Sequence, residues 1–178
     1  WTNCVDGGVG AGTVTTASLV PEFAGGVLSG DGSNNSGAIT SDFVNGLSSG
    51  EGEQHTYYQW STSQSTVQDY DAYVRYQLPE DFSSIGVAST FKFWHSDPDG
   101  VAGNGDIEWT IWDETGETQC FSTTFQGTTA GVWEQETAST LGSCAWVAGD
   151  FVTMRFKMST NSAAGAIRLG EVEFQYTQ

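Results

Sequence analysis

At 178 residues the chain is long enough for one domain with a full core, able to bury on the order of 70% of its unfolded surface. Its 22 acidic residues against 5 basic ones (Arg75, Lys92, Arg155, Lys157 and Arg168) give a formal net charge of −17. That charge excludes nucleic acid and anionic lipid as partners, because neither phosphate neutralisation nor counterion release can drive their binding, and it favours cations.

No stretch approaches the roughly 20 apolar residues of a membrane span, and a start at Trp1 without an initiator Met fits a mature chain whose leader has been removed. The first fifty residues hold 11 of the 23 glycines, no Lys or Arg, and only Trp1, Phe23 and Phe43 as aromatics. A segment so poor in apolar side chains cannot fold alone. Within it, TVTTASLVPEFAGGVL (13–28) carries Val14, Leu19, Val20, Phe23, Val27 and Leu28, more than a linker needs. It reads as one or two short strands that must borrow a core, either their own or a neighbour's. Residues 1–54 thus form a Gly/Ser-rich arm and 55–178 the domain proper.

From Tyr57 onward the hydrophobic period is two rather than 3.6. HTYYQWST (55–62) is the first strand, and YDAYVRYQLP (70–79) sets Tyr70, Ala72, Val74, Tyr76 and Leu78 against Asp71, Tyr73, Arg75 and Gln77. PEDFSSIG (79–86) holds the one place for a helical turn. TFKFW (90–94), IEWTIWD (107–113), CFSTTF (120–125), VWEQETA (132–138) and FVTMRFKM (151–158) continue the alternation. IRLGEVEFQY (167–176) needs a bulge at Gly170 to bring Ile167 and Leu169 into phase with Val172, Phe174 and Tyr176. Turn signals such as DPDG, ETG, QGTTAG, AGD and NSAAG separate these runs. The pattern predicts an all-β fold, an antiparallel β-sandwich of jelly-roll type with an extended N-terminal arm.

Cys120 and Cys144 flank a two-strand length, so a hairpin disulfide is expected, and with it an extracellular or cell-surface setting. Cys4 is then left over. In SDPDGVAGNGDIEW (96–109), Asp97, Asp99, Asn104 and Asp106 fall among flexible glycines and offer the oxygens that calcium requires, although the EF-hand pattern is not met. The plainer reading is a hairpin loop kept soluble by its acids. SGDGSNN (29–35) is a second, weaker candidate of the same kind.

Trp60, Tyr73, Trp94 and Trp112 are candidates for stacking on sugar rings, because their chain neighbours point inward; burial in a core or interface is the competing reading. Only two histidines occur, His55 and His95, far apart in sequence, which argues against zinc. The pairs Asp69/Asp71, Glu134/Glu136 and Glu171/Glu173 share a strand face and read as solvated surface or as partners of Arg155, Lys157 and Arg168. No nucleophile elbow is present, and no enzyme is expected.

The strand array, hairpin disulfide, acidic surface and detachable arm together resemble the jelly-roll subunits of prokaryotic extracellular filaments. That resemblance implies a structural protein whose residues 13–28 complete the sheet of the next subunit, with 29–54 as the hinge and Val14, Leu19, Val20 and Phe23 as anchors, self-association into a homopolymer, and calcium offsetting repulsion between acidic copies. The rival expectations are a secreted carbohydrate-binding module with a glycan partner, and a viral capsid-decoration or fibre domain.

Overall fold

Strand FVTMRFKMST shows why this chain makes sheets: Val152, Met154, Phe156 and Met158 are fully buried while the residues between them are half-exposed. A side chain that alternates faces every residue buries one apolar row and leaves the other to water or to a ligand. A computed structural model describes residues 14–19, 26–45, 54–85, 91–101, 103–115, 118–138, 140–142, 144–161 and 165–178. Among them are twelve strands and no helix. They are β1 (Val14–Leu19), β2 (Gly26–Ser29), β3 (Ala38–Asn45), β4 (Gln54–Ser61), β5 (Gln68–Gln77) and β6 (Ser84–Ile85), then β7 (Phe91–Ser96), β8 (Gly105–Trp112), β9 (Gln119–Gln126), β10 (Trp133–Ala138), β11 (Phe151–Thr160) and β12 (Ala166–Thr177).

Two antiparallel sheets result, one of seven strands in the order β10-β7-β12-β4-β3 with β1 and β6 also on β12, and one of five in the order β2-β5-β11-β8-β9. Their inner faces meet in an aromatic core: Phe93 of β7 lies edge-on to Trp109 of β8 at 4.9 Å, and Trp109 stacks on Phe156 of β11 at 5.8 Å. All three are 0% exposed. Burying one such ring contributes about 1.5–3 kcal/mol, so this layer is what holds the sandwich closed.

The bulge expected at Gly170 is present, as a register shift between Leu169 and Val172 against β7. The expected helical turn reduces to a hydrogen-bonded turn, Phe82 N–H to Pro79 O at 3.0 Å, followed by β6. Cys120 and Cys144 are disulfide-bonded with Cα atoms 5.3 Å apart, but not across the expected hairpin: β9 pairs with β8 and β10 with β7 in the other sheet, and the bond ties β9 to the segment before β11. Cys4 lies outside the described residues.

The N-terminal arm is where structure and expectation part. β4 pairs with β12 only as far as Leu169, which would leave residues 172–177 of β12 with an open edge, and β1 of the same chain fills it, Val14 opposite Thr177 and Leu19 opposite Val172. β2 pairs with β5 and β3 with β4. An unpaired edge recruits the nearest compatible strand, and here the partner lies in the chain itself. Val20 and Phe23 lie outside the described residues. Trp60, expected as a stacking platform, is instead core: opposite Ile167 and Ile39, it is 1% exposed, donates its indole N–H to Gln68 O at 3.1 Å and stacks on Tyr70 at 5.2 Å.

Candidate functional site

The register of β2, β5, β11, β8 and β9 sets out the outward side chains of the five-stranded sheet in rows. One row runs Ser29, Asp71, Lys157, Glu108, Thr124; the next runs Val27, Tyr73, Arg155, Thr110, Ser122. Beyond that lie Arg75, Thr153 and Trp112, and on the other flank Asp69, Ser159, Asp106 and Gln126. Acids, bases and hydroxyls therefore alternate across the sheet, with two of the expected aromatic platforms, Tyr73 and Trp112, both half-buried, on either side of Arg155.

The charges are held in place by one another. Arg155 donates to the carboxylate of Glu108 and, at 3.4 Å, to Thr110 Oγ1, and its guanidinium lies 5.5 Å from the Trp112 ring centre. Lys157 Nζ stands 3.4 Å from Asp69 Oδ2 and 3.9 Å from Asp31 Oδ2. Asp31 belongs to the 29–35 loop considered for calcium, and its carboxylate accepts from Ser33 N–H at 2.8 Å, the main reason its pKa lies below the usual range. Asn35 Nδ2 donates to Asp69 O at 2.7 Å, and Ser36 N–H to Gln68 Oε1 at 2.8 Å, so this loop is laced to the start of β5 and closes one end of the face.

Asp71 is the exception in the lattice. It is 6% exposed, yet Oδ1 has no hydrogen-bond partner among the described residues. Burial pushes its carboxyl pKa up, against the pull of Arg155 and Lys157. Asp106, two positions along the sheet, likewise has an unpartnered Oδ1 and a pKa raised by burial. A buried acceptor without a donor costs free energy unless something supplies the donor.

The 97–106 loop satisfies part of its own oxygens and leaves Asp97 Oδ2 and Asp106 Oδ1 without a partner among the described residues. Asp97 Oδ1 accepts from Asp99 N–H at 3.0 Å and Gly100 N–H at 3.2 Å; Asp99 accepts from Val101 N–H at 2.8 Å and from Asn104 Nδ2 at 3.1 Å. Gly100 and Gly103 take positive φ, 62° and 84°, to make the turns. Asp97 itself is 0% exposed, and Gly127 packs so closely on its Cβ that no larger residue fits there. Burial, helped by Asp99, pushes Asp97 up to about 6, while the two amide donors oppose the shift.

Among the described residues, the one cluster of three His, Cys, Asp or Glu ligand atoms within 4.8 Å of one another lies elsewhere, at His95, Glu134 and Glu136. The sequence pattern placed these acids on a solvated face. They sit opposite His95 and Phe93, whose side chains are fully buried, because β10 is an edge strand whose inner row faces the core. Trp94, the fourth stacking candidate, is on the outer face of the seven-stranded sheet, on the far side of the sandwich from Tyr73 and Trp112. Arg155, Asp71, Lys157 and Glu108 as a group escape sequence reasoning, since only the register across three strands brings them together.

No protein-family model matches the chain, and no curated protein does. Among solved structures it resembles TmCBM61 in complex with β-1,4-galactotriose, at TM-score 0.53 and 14% identity over 88% of this chain and 91% of that one. It resembles equally the mannan-recognising carbohydrate-binding module TmCBM27, at TM-score 0.53 and 8% identity over 93% of this chain and 99% of that one. The chain thus shares the β-sandwich fold of these modules.

Proposed function

We propose that the chain is an extracellular carbohydrate-binding module that holds a neutral glycan against the outer face of its five-stranded sheet and does not cleave it. The observation that carries this reading is the half-exposed lattice of donors and acceptors on that face, in which Glu108 holds Arg155 and Asp69 holds Lys157 beside the rings of Tyr73 and Trp112. A sugar hydroxyl can donate to the half-exposed carboxylate of Glu108 and, being an acceptor as well, take a hydrogen bond from Arg155 or Lys157. Tyr73 and Trp112 offer the apolar ring faces that sugar C–H groups cover.

β5 and β8 are two strand spacings apart, about 10 Å, which suits a short run of linked rings rather than a single one. Pre-formed ion pairs mean little ordering is left to the moment of binding. Acidic glycans are disfavoured by the net charge of −17. The likeness in fold to modules solved with galactotriose or described as recognising mannan supports the reading, and the disulfide suits an oxidising compartment.

The filament alternative starts from a free ribbon, and β1 is already paired in its own sheet; the chain is read as a module that works as a single copy. A divalent ion finds its better place at His95, Glu134 and Glu136, whose single nitrogen and two carboxylates suit a Zn²⁺-like ion. In the 97–106 loop both oxygens of Asp99 and one of Asp97 are occupied by the loop's own donors, which leaves Asp97 Oδ2 and Asp106 Oδ1, fewer than the roughly six to eight oxygens calcium takes. Zn²⁺ is expected to raise Tm by about 2 °C or more in the intact chain and not in Glu136→Gln; a rise with Ca²⁺ alone, lost in Asp99→Asn, would return the ion to the loop.

Affinity electrophoresis in gels carrying neutral galactan, mannan, xylan or mixed-linked glucan tests the main reading. At least one is expected to retard the chain and to be recovered uncut. Retardation by none of them, or release of sugar from one, would refute it.

A further inference from the structure

The seven-stranded sheet carries on its outer face a pocket that the lattice on the other sheet does not use. Its volume is about 420 Å³, and Gln54, His55, Trp94, Glu171 and Glu173 line it. We infer that this pocket is a second sugar site, which takes one neutral sugar ring on the face opposite the first. The inference rests on the glycan reading only for the class of ligand.

Its walls are fixed before any ligand arrives. His55 is 5% exposed and its Nδ1 lies 2.6 Å from Glu171 Oε2, while Glu171 Oε1 accepts from Thr56 N–H at 2.9 Å and Thr56 Oγ1 at 3.3 Å. The carboxylate is thereby pinned by three contacts, and a carboxylate has about four acceptor positions. The Trp94 ring centre lies 5.1 Å from that of His55.

Behind them Trp133 lies across the strand at Gly170, with ring centres 4.3 Å from His55 and 5.7 Å from Tyr57. A Cβ at 170 would meet Trp133 Cζ3 at 3.0 Å and Trp94 Cβ at 3.2 Å, so the bulge glycine makes room for the indole that backs the pocket. Trp133 is 8% exposed and its Nε1 has no partner among the described residues.

The ligand class follows from this lining. One half-buried indole gives a flat apolar face, and two carboxylates beside it accept from neighbouring hydroxyls; together they match a sugar ring, which has one C–H face and a rim of O–H donors. Glu171 and Glu173 repel uronates and sialic acids. The pocket lies at the small end of the range for ligand sites, which favours a single terminal ring over a chain. Affinity for one ring is expected to be about millimolar.

The test uses the full chain labelled with 5-fluorotryptophan, the Trp94 signal being assigned from Trp94→Phe. Methyl β-galactoside, methyl α-mannoside, xylose, glucuronate and tetramethylammonium are titrated separately and followed by ¹⁹F NMR. At least one neutral sugar should move the Trp94 signal to saturation, Glu171→Gln should weaken that response about tenfold or more, and the response should survive in the Tyr73→Ala/Arg155→Ala double variant. The second site is overturned if every neutral sugar leaves Trp94 unmoved, if glucuronate acts as strongly, if only tetramethylammonium acts, or if the double variant abolishes the response. Should Trp94 stay silent while a polysaccharide still retards the chain, this site falls and the module reading stands; should neither occur, both fall.

Discussion

The two outer faces of this sandwich are built from the same period-two strands and end up chemically unlike. On the five-stranded sheet the charges are spread in rows and locked into pairs, with Tyr73 and Trp112 standing apart on either side of Arg155. On the seven-stranded sheet the rings are gathered, Trp133 against both His55 and Tyr57, and Arg168 lies 4.8 Å over the Tyr57 ring. The inner rows of both sheets have to be largely apolar for the sandwich to close, the acids of edge strand β10 excepted. The outer rows are under no such constraint, and on the proposed reading one face suits an extended polar chain and the other a single ring.

A core change should erase the contrast altogether. Phe156 touches Trp109 and Phe93 at the centre of the sandwich, and Phe156→Ala is expected to cost about 3–5 kcal/mol of stability, read from denaturant unfolding, and to weaken both faces together; loss at one face alone would show that the sheets do not share one core. Replacing Cys120 and Cys144 by Ser opens a link with a sequence separation of 24 and should cost about 3 kcal/mol. It should loosen β9 and the five-stranded face first, which hydrogen exchange would show; even loosening of both sheets would count against this ordering.

Arg155→Ala acts on one face only. Glycan affinity at the five-stranded sheet is expected to fall about tenfold or more, with the Trp94 pocket unchanged, and an unaltered affinity would remove Arg155 from the site. Asp97→Asn should spare both faces and change only the pH dependence of stability. Because the folded pKa is raised from 3.8 to about 6, the contribution of Asp97 is complete below the unfolded value and is lost as pH rises through about 6. The Asn variant keeps the acceptor used by the Asp99 and Gly100 amides, so its Tm should exceed that of the parent by about 4 °C near neutral pH and match it at about pH 4. A variant less stable than the parent at neutral pH would contradict the buried charge.

The strands from β4 onward other than β6, and the Gly170 bulge, were legible in the sequence because each rests on local spacing, whereas the Cys120–Cys144 bond forms without the hairpin that its spacing implied. The placement of β1 was not, since its partner residues Val172–Thr177 lie at the other end of the chain and no local pattern records which edge stays open. β4 carries aromatics in both phases, Tyr57 outward and Trp60 inward, so alternation alone could not assign Trp60. Glu134 and Glu136 looked like surface because acids usually are, and only the pairing of β10 with β7 turns them toward His95. Tyr73, Trp94 and Trp112 could be placed outward from sequence, but not on which of two faces.

Backbone chemical-shift mapping of the intact chain with β-1,4-galactotriose and mannotriose asks where a glycan sits. For at least one of them, saturating shifts are expected to concentrate on the outward residues of β5, β11 and β8 around Tyr73, Arg155 and Glu108 and to vanish in Arg155→Ala. Shifts that avoid those three strands, or that persist unchanged in the variant, would contradict the proposed site.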